Sequence, residues 1–249
     1  SCVRRKIPQT RINSCLLIKS NSHDSGVEGR SPECRTTGMI KQYGLWRYKM
    51  TEDENLLIES NEYLKSGIHI GTKFKTKYMS NFIYKTRPDG LSVLNLQKID
   101  ERLGIVARFL SQYEPQDILI VGRRESAWKP INMFSKVTGT KAFAGRYPPG
   151  ILTNPNLENF VEVKVVMVVD SGPDRNAVID AIKMGIPVIA ISDTNNQSNN
   201  VDLVLPSNNK GKKSLGLLFW ILAREYLRNR GILKKSEELK EKIEDFTEE

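Results

Sequence analysis

Beyond residue 49 the chain has no cysteine, because Cys2, Cys15 and Cys34 are the only three it contains. A disulfide framework is thereby excluded for the body, and a reducing, cytoplasmic setting is favoured. Histidine is almost as scarce: His23 and His69 are the whole supply, so a Cys/His zinc site in the body is excluded as well. Long apolar runs are missing. The longest, residues 215–223, is about half of the roughly 20 residues a bilayer-spanning helix needs and contains Gly216, so it reads as a buried helix. No G-x-G-x-x-G follows an apolar run, no G-x-S-x-G elbow is present, and the fragment Gly211-Lys212-Lys213-Ser214 fails as a phosphate-binding loop. Its leading glycine position is Pro206, and Lys213 stands where a hydroxyl residue would coordinate magnesium.

Charge is present in excess of one sign, and unevenly. Of the net +9, most resides in residues 1–49, which hold ten Lys/Arg against three Asp/Glu. That segment has no sustained period and is broken by glycine and proline, so it offers no face to bury and is expected to be disordered. Its early Arg/Lys content also suits an organellar transit peptide. The run Met50-Thr-Glu-Asp-Glu-Asn reads as an ordinary protein start, with residues 1–49 expected to be upstream sequence. The body then spans 50–233 as a single domain. Residues 234–249 form a charged tail, expected to be a solvated helix or a frayed end on the helical spacing of Glu238/Lys242 and Lys240/Glu244.

Within the body, short β-favouring runs alternate with longer amphipathic stretches, which predicts an α/β fold. The strands are predicted at 92–94, 117–121, 141–144, 164–169, 187–191 and 202–205, several continuously apolar as in a parallel sheet buried on both faces. Helices are predicted at 97–113, 125–138, 174–184 and 213–230, after a short helical segment near 61–65. In such a sheet ligands gather beyond the carboxyl ends of the strands, here 122–126, 170–174 and 192–195.

Asp170, Asp174 and Asp193 fall in those loops and could form a magnesium or acid–base cluster. Asp174 also opens a helix, where a carboxylate stabilises the helix dipole without doing chemistry, and that structural reading is preferred. His69, in Gly67-Ile68-His69-Ile70-Gly71, has no acid or nucleophile near it in sequence and reads as a packing histidine.

Cations and aromatics interleave in Thr72-Lys73-Phe74-Lys75-Thr76-Lys77-Tyr78 and again through Tyr84-Lys85-Thr86-Arg87. Lysine and arginine neutralise phosphates while rings stack on unpaired bases, a combination suited to irregular RNA. Further cations occur at Arg123-Arg124, at Arg146, at Lys210, Lys212 and Lys213, and at Arg228 and Arg230. Lys212 and Lys213 open a helix against its dipole, which a bound anion would explain, whereas Arg224 beside Glu225 suits a surface ion pair. Most of these basic segments lie apart in sequence from the strand-end loops.

The ordered segments SGIHIGTKFKTKY (66–78), GLSVLNLQKIDERL (90–103), GRYPPGILTNP (145–155), PVIAISDTN (187–195) and DLVLPSNNKGKKSLGLLFWILAREYLRNRG (202–231) resemble the second small-subunit ribosomal protein family. The resemblance covers residues 56–232 in family order. After GILTNP, Asn154 reaches Val163 in a few residues, where bacterial members carry a coiled-coil insertion. This feature and the NNKG and LAREYLRNRG segments resemble the archaeal and eukaryotic branch; the tail lacks the acidic extension of eukaryotic members, so the archaeal type is expected.

The resemblance implies a flavodoxin-like three-layer sandwich with a mainly parallel sheet, and a cytoplasmic, non-catalytic role in translation. It further implies a place near the head–body junction of the small ribosomal subunit, with its ribosomal RNA and neighbouring proteins as partners. No cofactor, metal, membrane or small-molecule substrate is implied. The RNA-contacting residues expected on charge are Lys73, Lys75, Lys77, Lys85, Arg87, Arg123, Arg124, Arg146, Lys210, Lys212, Lys213, Arg228 and Arg230. A phosphate-ligand enzyme and a cell-surface adhesion role, the latter suggested only by eukaryotic relatives, are the alternatives.

Overall fold

The apolar strands are buried throughout, and the side to which successive residues turn decides the architecture. In the computed structural model, which describes residues 56–234, 239 and 241–247, Ile118 and Ile120 of one strand face one core while Leu119 and Val121 face another. A strand with two apolar faces needs a layer on each side. Those described residues belong to one unit, Asp53–Glu249; the expectations for residues 1–49 and for a start at Met50 lie outside them.

The elements run α1 (Ser60–Ser66), β1 (Ile83–Thr86), β2 (Ser92–Leu94), α2 (Leu96–Ser111), β3 (Ile118–Gly122), α3 (Glu125–Thr138), β4 (Lys141–Ala144), β5 (Val165–Val168), α4 (Arg175–Met184), β6 (Val188–Ser192), β7 (Leu203–Pro206), α5 (Lys212–Asn229) and α6 (Ile243–Phe246). Strands β3 to β7 form one parallel sheet in the order β4-β3-β5-β6-β7. Counted from β3, this is the 2-1-3-4-5 order of flavodoxin-like folds, and it reverses between β3 and β5. β2 is not part of that sheet. It pairs antiparallel with β1, a strand that its half-polar sequence Ile83-Tyr84-Lys85-Thr86 hides.

One face of the sheet carries α2, α3 and α5. Ile99, Leu103, Val106 and Leu110 of α2 recur at helical spacing and are fully buried there, with Asn95 capping the helix by accepting from the Gln97 amide at 3.0 Å. α5 is buried nearly all round from Ser214 to Leu227, as its apolar run predicts. The other face carries one helix, α4, with Tyr147, Ile151 and Leu152 from the segment after β4. That segment closes on itself through Val161 N–H to Ile151 O at 3.2 Å, which leaves no coiled coil between β4 and β5. Ten residues without a helix join β6 to β7, so a loop lies where a doubly wound fold ordinarily has a crossover helix.

Two sequence expectations change here. The tail is expected to be solvated, yet Phe246 is 0% exposed and its carbonyl stands 3.1 Å from where a side chain on Gly216 would begin. Only glycine on α5 admits that approach. Glu238 and Lys240, which carry the expected helical pairing, lie outside the described residues. Arg224 is not at the surface: it is buried, donates to Leu57 O at 2.7 Å, and lies over the Trp220 ring at 5.0 Å as well as pairing with Glu225.

Candidate nucleic-acid interface

The chain crossing from α1 to β1 is pinned onto the carboxyl end of the sheet. Thr72 N–H donates to Thr194 Oγ1 at 2.9 Å, Thr76 N–H to Thr194 O at 2.9 Å, and Asn208 N–H to Ile68 O at 3.0 Å. Residues 67–76 thus lie against the loops that follow β6 and β7. His69 is buried in this segment. Burial lowers its pKa and keeps the ring neutral, in keeping with a packing histidine.

This pinning joins basic groups that are far apart in sequence. Lys73, Lys75 and Lys77 are exposed beside the loop after β6, and Arg123 and Arg124 follow β3. Arg146 follows β4, Lys210 follows β7, and Lys212 and Lys213 open α5 at the same edge. Lys85 and Arg87 are exposed on the β1–β2 hairpin, whose Ser92 N–H bonds Thr72 O at 3.2 Å. Arg228 and Arg230 do not join them. They lie at the other end of α5, where Arg228 pairs with Glu225 at 3.0 Å and Arg230 with Glu114 at 3.0 Å.

Among the described residues, Lys73, Lys75, Lys77, Lys85, Arg87, Arg123 and Arg146 form no ion pair. Phe74 is 80% exposed and Tyr84 75%, so two large rings stand in water among cations. Burial in a core is therefore not what holds aromatic residues at these positions.

The strand-end carboxylates, by contrast, are engaged internally. Asp170 accepts from Arg124 Nε at 2.7 Å and also from its Nη2, from Gly172 N–H at 3.1 Å and from Asn196 Nδ2 at 2.9 Å. Asp193 is held by Thr194 N–H at 2.6 Å and by Lys210 at 3.1 Å. Among the described residues no group of carboxylates, cysteines or histidines is placed to hold a metal.

Asp174 does stand at the start of α4, but its side chain makes no capping bond there. One oxygen accepts from Arg123 N–H at 3.2 Å and ties the β3 loop to α4, while the other is buried without a partner. Desolvation is the main cause that raises its pKa to about 6, with the charge of Asp170 adding to it.

A raised carboxylate pKa means that the folded state holds its proton to higher pH than the unfolded chain does. The ionised group therefore destabilises the fold progressively between about pH 4 and 6, and fully above that. Asp174→Asn is expected to stabilise the protein by about 1–3 kcal/mol at pH 7 and to confer no advantage near pH 4. His69 gives a slope of opposite sign, since a depressed histidine pKa removes stability as pH falls below about 6.5. The difference in melting temperature between the variant and the unaltered chain, measured across pH 4–7, cancels that contribution. An advantage independent of pH would contradict the assignment.

These features define a doubly wound α/β domain with the crevice of a ligand-binding fold, whose strand-end acids brace its own loops beneath a cationic rim. Comparison with known proteins agrees. The family described as Ribosomal protein S2 matches residues 63–162 and 156–228. The small ribosomal subunit protein uS2 of Nanoarchaeum equitans is 52% identical over 190 residues, covering 76% of this chain and 94% of that protein. Its counterpart in Picrophilus torridus is 48% identical over 194 residues, 78% of this chain and 97% of that protein. The one in Saccharolobus solfataricus is 46% identical over 191 residues, 77% and 83% of the two chains. The chain belongs to the ribosomal protein S2 family, in its archaeal type, a family of structural and non-enzymatic proteins.

Proposed function

We propose that this chain is a structural constituent of the small ribosomal subunit in the cytoplasm, and that it binds small-subunit ribosomal RNA through the carboxyl end of its sheet. The observation that carries the reading is the rim itself. Among the described residues Lys73, Lys75, Lys77, Lys85, Arg87, Arg123 and Arg146 are exposed there without an ion pair, beside the exposed rings of Phe74 and Tyr84. Neighbouring ribosomal proteins occupy other faces, and the site lies near the head–body junction. The amino end of the sheet, where Arg228 and Arg230 already hold acidic partners, contributes little to RNA affinity.

Ultraviolet crosslinking of native small subunits, followed by mass spectrometry of RNA-bearing peptides, tests this placement. Crosslinks are expected within 72–87, 123–124, 146 and 210–213. Crosslinks confined to 224–230, or absent from the carboxyl end, would contradict it.

A further inference from the structure

The loop that replaces a crossover helix between β6 and β7 contains Asn195-Asn196-Gln197-Ser198-Asn199-Asn200, six polar residues in a row without a charge. Its backbone is fixed from both sides. Thr76 Oγ1 donates to Asn196 O at 3.2 Å, and Ser171 Oγ donates to Gln197 O at 3.0 Å. Asn196 turns inward to Asp170, while Asn195, Gln197, Asn199 and Asn200 remain exposed.

Two cavities flank this loop and share Gln197 and Asn199 as lining. One, of about 750 Å³, lies against Thr76, Lys77, Tyr78, Ser80 and Asn81. The other, of about 560 Å³, is the switch-point crevice, bounded by Arg124, Gly172 and Arg175 beside Asn195 and Asn200. Gln197 and Asn199 line both, so the two cavities adjoin along the loop as a groove edged by its amides, with Lys77 lining one cavity and Arg124 and Arg175 the other. The one carboxylate lining it, Asp170, is neutralised by Arg124.

We infer that this groove holds an unpaired strand of RNA, with its phosphates near Lys77 and Arg175, a base on the Tyr78 ring, and base edges against the amides of the 195–200 loop. The inference rests on the RNA-binding reading above and narrows it from RNA in general to a single strand. Amide side chains present a donor and an acceptor together, which matches the edge of a base and not a phosphate. Rings accept only bases that are out of a helix, and cationic grooves with stacking rings are how unpaired strands are gripped. An acidic protein segment would answer the cations Lys77 and Arg175 equally well, but its side chains would leave the exposed Tyr78 ring without a stacking partner and the row of amides without matching planar edges.

The test is fluorescence anisotropy on the full chain with two probes, a single-stranded oligoadenylate of about 12 nucleotides and a fully paired RNA hairpin. Tyr78→Ala and Asn199→Ala are compared with Lys73→Ala/Lys75→Ala/Lys77→Ala. Tyr78 and Asn199 are exposed, so each variant is expected to fold, which its circular dichroism spectrum checks. The unaltered chain is expected to prefer the single strand, and Tyr78→Ala to weaken that probe roughly five- to hundredfold with little effect on the hairpin. Loss of binding in the lysine variant, with Tyr78→Ala and Asn199→Ala unchanged on both probes, overturns the groove while leaving the RNA-binding reading intact. No binding of either probe by the unaltered chain overturns both.

Discussion

Replacing Lys73, Lys75 and Lys77 together by alanine is expected to weaken binding to small-subunit RNA by roughly ten- to hundredfold at moderate salt. The same variant is expected to reduce the slope of log affinity against log salt by about 2–3 units. Each cation that neutralises a phosphate releases counterions and contributes about 0.7–0.9 to that slope. All three side chains are exposed and form no ion pair among the described residues, so their removal leaves folding untouched. A titration of RNA binding at several salt concentrations distinguishes the outcomes. An unchanged slope with unchanged affinity would mean that these lysines face solvent in the complex. Lower affinity with an unchanged slope would mean that they act through structure and not through phosphates.

The second large effect concerns how that segment is held. A Cβ on Gly71 would stand 2.5 Å from Thr194 Cγ2 and 3.0 Å from Ser92 O, contacts too close for an unstrained chain. Gly71→Ala is therefore expected to cost about 1–3 kcal/mol by overpacking, a drop in melting temperature of roughly 2–4 °C for each kcal/mol in a chain of this size. Thr194→Ser removes the clashing methyl but keeps the hydroxyl that accepts from Thr72 N–H, so the double variant should recover part of the loss. Independent, additive effects of the two substitutions in a thermal-melt cycle would show that the loss does not arise from the contact with the Thr194 methyl. RNA affinity of Gly71→Ala is expected to fall as well, since the lysines that follow lose their fixed position.

That anchoring also marks the boundary of what a sequence can reveal. The strands of the main sheet and the long helices have periodicities that survive in their residues, and they fall within a residue or two of the predicted spans. α5 was legible because an apolar run too short for a membrane has to be buried. β1 was not, because Ile83-Tyr84-Lys85-Thr86 has one partly buried residue and three exposed ones. Phe246 belongs to a charged tail, and nothing local announces that Gly216, thirty positions earlier, leaves room for it.

The site divides along the same line. The lysine and aromatic alternation of 73–78 is local and was visible. Its union with Thr194, 122 residues beyond the neighbouring Thr72, depends on hydrogen bonds between segments that share no sequence signal. Asp174 was correctly placed at a helix start, but its role as a tie to the Arg123 amide follows from the β3–β5 reversal in strand order. The amide run 195–200 carries a compositional signal, six polar uncharged residues between two strands. Its significance emerges only once the cavities on either side are seen.

The central claim is that this enzyme-like domain serves as a part of the ribosome. Fractionation of a native lysate on sucrose gradients, at moderate and at high salt, tests it most directly. The chain is predicted to sediment with the small subunit at moderate salt, and to be released at high salt to an extent that follows its phosphate contacts. Its recovery solely among free proteins at both salts would contradict the account.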